Sequence, residues 1–193
     1  MPSMPALSEI RLPDPCLVVL LGAAGSGKST FAARHFAPDE VLSSDRFRAL
    51  VAGDAADQRA TRPAFAALHR ALRQRLAAGR LTVVDATSVT PRARDALLRD
   101  AAAAGVPAVA IALDLPRNEV LARNRGRVGS AVVPQDAVLA QLDNLDRSLA
   151  GDRLWHEGFA GVVRLATVNE VDAVRIVRQA RDPDSRPGEA RGA

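Results

Sequence analysis

The sequence predicts an α/β fold, a parallel sheet with helices on both faces, and three observations point there. Short apolar runs at Leu17–Leu21, Leu81–Asp85 and Val109–Leu113 read as strands buried on both faces of a sheet. Stretches of helical period separate them, as the crossovers between parallel strands require. The first run opens directly into a glycine-rich turn and then a helix. A length of 193 residues with 48% hydrophobic content suits one such domain with a sizeable core.

Residues 1–15 are proline-rich and read as a lead-in, with a short edge strand around Leu7–Leu12. Residues 16–181 are expected to form the domain, and 182–193, polar and rich in Pro and Gly, a disordered tail. After the glycine turn, Phe31–Phe36 continues as helix; Val41–Ser43 is a short strand, and Arg46–Leu50 begins another helix. Pro63 starts a long helix with Phe65, Leu68, Leu72 and Leu76 on one face. Thr90-Pro91 is a cap and first-turn pair for a helix over Arg92–Ala104. Pro116 opens a basic helix, Arg117–Arg127; Gly126–Val133 reads as a mobile loop and Pro134–Leu149 as a helix. Gly161–Leu165 is the last strand, and Val168–Gln179 the closing helix.

The turn Gly22-Ala23-Ala24-Gly25-Ser26-Gly27-Lys28-Ser29-Thr30 carries every fixed position of G-x-x-x-x-G-K-[ST] between strand and helix. Its glycines let backbone N–H groups converge on phosphate oxygens, and the following helix turns its positive end to the same spot. Lys28 can reach the outer phosphates of a nucleoside triphosphate, and the Ser29 hydroxyl suits Mg²⁺. Lys28 is also the only lysine; the other 25 basic residues are arginine. Where guanidinium serves generally, the phosphate loop keeps the compact ammonium. The expected ligands are therefore ATP and Mg²⁺.

Strand ends bring Asp45 and Asp85 beside that loop. Asp85 reads as a carboxylate near the metal or as a loop cap, and Asp45 as a proton acceptor or as a helix N-cap. Arg123 and Arg127, four apart, form either a lid over the triphosphate or a solvated basic face. A net charge of +4 and an isoelectric point near 10.7 suit a polyanionic partner, although 3% aromatic content leaves few stacking platforms. No apolar run approaches a membrane span. The single cysteine, Cys16, rules out a disulfide framework and fits a reducing cytoplasm.

From about Leu7 to Gln179 the chain resembles the 5′-hydroxyl polynucleotide kinase domain of the bacterial polynucleotide kinase-phosphatase family, RNA-repair enzymes with a P-loop kinase fold. The stretches that carry the likeness are Leu17–Ala32, Val41-Leu-Ser-Ser-Asp-Arg-Phe-Arg48, Asp57-Gln58, Ala64-Phe65 with Leu68-His69, and Gly79–Thr87. Leu115-Pro116, Arg123-Asn124 with Arg127, and Glu157-Gly158-Phe159 complete it. The resemblance implies an arginine-bearing lid, an AAA-type classification, and phosphate binding by Gly22, Gly25, Ser26, Gly27, Lys28, Ser29 and Thr30. It makes Asp45 the general base toward a nucleic-acid 5′-hydroxyl and Arg48 the grip on the neighbouring 3′-side phosphate. Arg123 and Arg127 become lid arginines, Gln58 lies near the acceptor, and Ser29 with Asp85 serves the metal. One departure is Ser88, where the family usually has asparagine. His35, His69 and His156 form no metal-spaced cluster, so phosphatase and ligase activities are not expected. The expected function is transfer of the ATP γ-phosphate to an RNA or DNA 5′-hydroxyl; a small hydroxyl acceptor and a non-catalytic ATP-operated binding module are the alternatives.

Overall fold

In the computed structural model, residues 9–52 and 61–180 are described. Gln58 and the expected tail, residues 182–193, lie outside them. Five parallel strands form the central sheet in the order β3 (Val41–Ser43), β4 (Thr82–Asp85), β2 (Leu17–Leu21), β5 (Ala108–Leu113), β6 (Gly161–Leu165). β2, β4 and β5 are buried at every position, as their near-continuous apolar sequences require.

Alternate strand residues supply two separate cores. Val18, Leu20, Val83, Ile111 and Leu113 pack with Phe31 of α1 (Lys28–His35), Val120 of α5 (Arg117–Arg125), and Val138 and Leu142 of α6 (Gln135–Leu149). Leu17, Val19, Leu21 and Val84 face α3 (Thr61–Ala77) and α4 (Pro91–Ala103), meeting Leu68, Leu72, Leu76 and Leu97. Of the stripe expected on α3, Leu68, Leu72 and Leu76 are buried, whereas Phe65 is only partly covered and Ala64 takes the buried position beside it; Thr90 accepts the Ala93 N–H as the α4 cap. Between β3 and α3 runs α2 (Ser44–Ala52), whose first turn holds Asp45. Cys16 is a buried core thiol, pushed up to about 12 by burial and, secondarily, by the Asp14 charge. Among the described residues, no helix is long and apolar enough to cross a membrane.

The C-terminal end departs from the expected single helix. α8 (Val168–Ala173) stops after six residues, and β7 (Arg175–Ala180) pairs in parallel with β1 (Glu9–Asp14) as a separate two-stranded sheet. Thr167 and Glu170 form a capping box that starts the helix. Beyond it, Val174, Ile176 and Val177 favour extended backbone, and Ile10 and Leu12 of β1 are buried against the same core as Val174. The early strand thus flanks the main sheet instead of lining its edge. A further short helix, α7 (Arg153–Glu157), precedes β6 and has no counterpart in the sequence reading.

Candidate active site

β2 has β4 on one side and β5 on the other, so the segments leaving these strand ends diverge and open a crevice. A cavity of about 660 Å³ lies there, lined by Gly25, Gly27, Lys28, Ser29 and Thr30 of the phosphate loop and by Asp45, Arg48, Asp85, Arg123 and Arg127. The sequence-predicted groups from four different segments therefore share one space. Gly22 and Ser26 belong to the loop but face away from the cavity: the Gly22 carbonyl accepts from Lys28, and the buried Ser26 hydroxyl has no hydrogen-bond partner among the described residues.

The loop has the form a phosphate group needs. Gly25 and Gly27 sit at φ +89° and +94°, and the α1 N-terminus has no side-chain cap, leaving its N–H groups for an anion. A Cβ on Gly25 would stand 2.6 Å from the Val120 carbonyl oxygen of α5. Gly25→Ala is accordingly expected to lower stability by about 1–3 kcal/mol from backbone strain alone, and more from the collision. A urea midpoint equal to that of the unaltered protein would contradict this packing.

Lys28 Nζ donates to the Gly22 and Ala23 carbonyls at 2.8 and 2.9 Å. Burial pushes its pKa down to about 8, against an upward pull from the nearby Asp85 charge. Asp85, buried at the end of β4, is pushed up by the same desolvation and held back by a hydrogen bond from Ser29 and by Lys28. The linkage sign for Lys28 follows from its depressed value. Between about 8 and its ordinary 10.5, the unfolded chain binds a proton that the folded chain lacks, so stability rises with pH across that window. A triphosphate reverses the depression, so binding ATP at about pH 9 should draw in protons. Calorimetry in two buffers of different ionisation enthalpy reads this uptake, which should vanish in Lys28→Arg.

Ser43 pairs with Asp85 across β3 and β4, which places the start of α2 beside the end of β4, on the rim of the same cavity as the phosphate loop. The Ser43 hydroxyl accepts the Arg46 N–H at 3.5 Å, so Asp45 is not the cap of α2. Its side chain is 59% exposed and pairs with Arg48, which is 21% exposed. Arg123 lies 3.4 Å from Glu119, one turn back on α5, and Arg127 Nη1 donates to the Ala131 carbonyl at 3.0 Å. Arg117 instead binds Asp143 of α6, away from the cavity lining.

Three residues near the site were given no role from the sequence. Gln141 of α6 accepts the Ala24 N–H at 2.8 Å and lines the cavity. Arg94 of α4 is fully buried: it grips Glu157 through two 2.6 Å bonds and donates to the Ser88 carbonyl at 2.8 Å. The loop that departs from the family at Ser88 is thus held by its backbone. Asn124 of α5 is buried against Val133. A shared signal was available, since each polar residue interrupts an apolar stripe, at 138-141-142-145, 94-97-101 or 120-124.

Solved structures share this architecture. A chain of the Pnkp1/Rnl/Hen1 RNA repair complex is similar at 22% identity and a TM-score of 0.60, over 71% of this chain but only 46% of that one. The gluconokinase from Sinorhizobium meliloti 1021 is similar at 20% identity and a TM-score of 0.51, over 83% and 87% of the two chains. Kti12 of Chaetomium thermophilum, in complex with ADP-AlF3, reaches 18% identity and a TM-score of 0.55 over 81% and 93%. The fold is that of these P-loop proteins. No curated protein matches the sequence. The model of the AAA domain family matches residues 17–151, well over half of the chain, and the protein belongs to that family.

Proposed function

We propose that this chain is an ATP-dependent kinase that phosphorylates the 5′-hydroxyl end of RNA or DNA. The observation that carries the reading is one cavity bounded by the phosphate loop on one wall and by Asp45 with Arg48 on another. ATP occupies the loop, its outer phosphates against Lys28 and the α1 N-terminus. The acceptor oxygen attacks the γ-phosphorus; the new O–P bond forms as the bond to the departing ADP oxygen breaks, and the hydroxyl proton passes to Asp45. Arg48, one turn further along α2, holds the phosphate that follows the acceptor nucleotide. Arg123 and Arg127 neutralise charge on the transferring group, and Gln58 contributes to the acceptor side.

The donor set also fits Mg²⁺. A serine hydroxyl hydrogen-bonded to a buried carboxylate is a hard oxygen pair, and Ser29 and Asp85 would hold the ion directly or through water. Among the described residues no cluster of three ligating side chains stands ready, so the remaining ligands would be phosphate and water oxygens. When bound, the ion supplies charge neutralisation at the β- and γ-phosphates.

Labelled ATP offered with a 5′-hydroxyl oligonucleotide and with a panel of small hydroxyl compounds tests the reading. Label should pass to the oligonucleotide, and Asp45→Asn should slow transfer about 10²- to 10⁴-fold while ATP affinity is kept. Arg48→Ala should weaken use of a 3′-phosphorylated nucleotide far more than of an acceptor without that phosphate. A small-molecule acceptor is the second reading, favoured by the near full-length match to a gluconokinase. Transfer to a panel compound alone, indifferent to Arg48→Ala, would select it. An Asp45→Asn variant with unchanged behaviour would point to a nucleotide-operated binding module.

A further inference from the structure

We infer that Asn124 is a positioning residue that holds Arg123 and Arg127 over the phosphate loop, an inference that rests on the kinase reading for its catalytic consequence only. α5 is a polar helix, Arg-Asn-Glu-Val-Leu-Ala-Arg-Asn-Arg, in which only Val120 and Asn124 are buried. A carboxamide that is 2% exposed must place both its donors and its acceptor, or the helix loses stability. Here both ends meet the same residue. Nδ2 donates to the Val133 carbonyl at 2.7 Å, and Oδ1 accepts the Val133 N–H at 3.1 Å. The pair of bonds closes the segment 124–133 into a loop with fixed ends, and Arg127 lies inside it.

The opposite side of the same residue touches the phosphate loop. A Cβ built on Gly25 would stand 3.1 Å from the Asn124 backbone nitrogen and 3.2 Å from its Cβ. A Cβ on Gly27 would lie 3.7 Å from Arg123 Nη1. Asn124 is therefore both the floor on which the phosphate loop rests and the clasp of the arginine segment. A guanidinium serves a transferring phosphoryl group only when it is placed closely, and a shift of about 1 Å can cost about a hundredfold in rate. Within the segment a 3-10 turn at Gly129–Ala131 and the bond from Arg127 Nη1 to the Ala131 carbonyl set the local shape, and the clasp sets how the segment as a whole sits against α5.

Two variants separate positioning from folding. Asn124→Asp keeps the acceptor and loses the donor, whereas Asn124→Ala loses both. Trypsin cleavage after Arg125 and Arg127, measured on the folded protein, should be slowest in the unaltered chain, faster in Asn124→Asp and fastest in Asn124→Ala. Transfer at saturating ATP should fall about a hundredfold in Asn124→Ala, with ATP affinity changed by no more than about threefold. In an Arg123→Ala, Arg127→Ala background, Asn124→Ala should cost nothing further, because its effect runs through those side chains. Additive losses in that cycle, or a rate that falls only as the folded fraction falls, would overturn the inference. If the unaltered protein phosphorylates no acceptor, the kinase reading fails alone. The trypsin comparison still decides the clasp, and unchanged cleavage removes it.

Discussion

Lys28→Ala should reduce phosphoryl transfer by about a thousandfold or more while leaving the protein as stable as before, or more so. The two halves of that expectation have one cause. Nζ is buried inside the phosphate loop, where burial has already pulled its pKa down to about 8. Among the described residues its hydrogen-bond acceptors are the loop's own Gly22 and Ala23 carbonyls. An ammonium held in this way costs the folded chain at neutral pH, so truncating it removes a penalty. What the charge provides appears only when a triphosphate sits in the loop. Then a fixed cation, already stripped of water, meets the charge that develops on the transferring oxygens. Turnover at saturating ATP beside a thermal melt reads both halves. A variant that keeps more than about a tenth of the rate would remove Lys28 from the chemistry. Lys28→Arg is not expected to restore the rate, because a planar fork does not fit a hole shaped for one nitrogen.

The parts of this molecule that the sequence revealed are those whose signal is local. Leu17–Leu21 is apolar at each position because the strand is covered on both faces, and nothing remote is needed to read it. That Lys28, Ser29, Asp45 and Asp85 line one cavity was legible because each follows the C-terminal end of a strand, the place where open α/β sheets gather ligands. β7 was not legible, because what makes Arg175–Ala180 a strand is Glu9–Asp14, which lies at the other end of the chain. Residues 174–177 alone carry a β preference too short to outweigh the helical start at Thr167. Asp45 shows a different limit. A carboxylate before a helix can cap it or stay free, and the two differ by two residues in where the helix begins. The structure starts α2 at Ser44 and gives the cap to Ser43. Gln141, Asn124 and Arg94 failed for a third reason. A polar residue in an amphipathic helix is read as solvated unless its register on the apolar stripe is checked, and only the packed neighbours show which backbone group it serves.

Arg94→Ala is expected to be strongly destabilising, at about 3–5 kcal/mol, because it breaks a buried, fully hydrogen-bonded ion pair. Arg94 carries no exposed surface, and its guanidinium joins four segments at once. It binds Glu157 of α7, the Ser88 carbonyl in the loop after β4, and Ser148 of α6, whose hydroxyl in turn donates to the Val89 carbonyl. Removing the arginine orphans these acceptors together. Removing Glu157 instead strands a charge with no path to water, so Glu157→Ala should cost at least as much; the Glu157 side chain is itself 20% exposed and better able to be rehydrated. Replacing both by apolar residues should cost less than the sum of the two single changes. The consequence reaches the site, because Ala86 and Thr87 line the cavity on the loop that Arg94 holds. Urea unfolding of the two single variants and the double variant measures the coupling. Single changes below about 1 kcal/mol, or strict additivity, would mean that this network is ornamental and that Asp85 and its loop are held by the sheet alone.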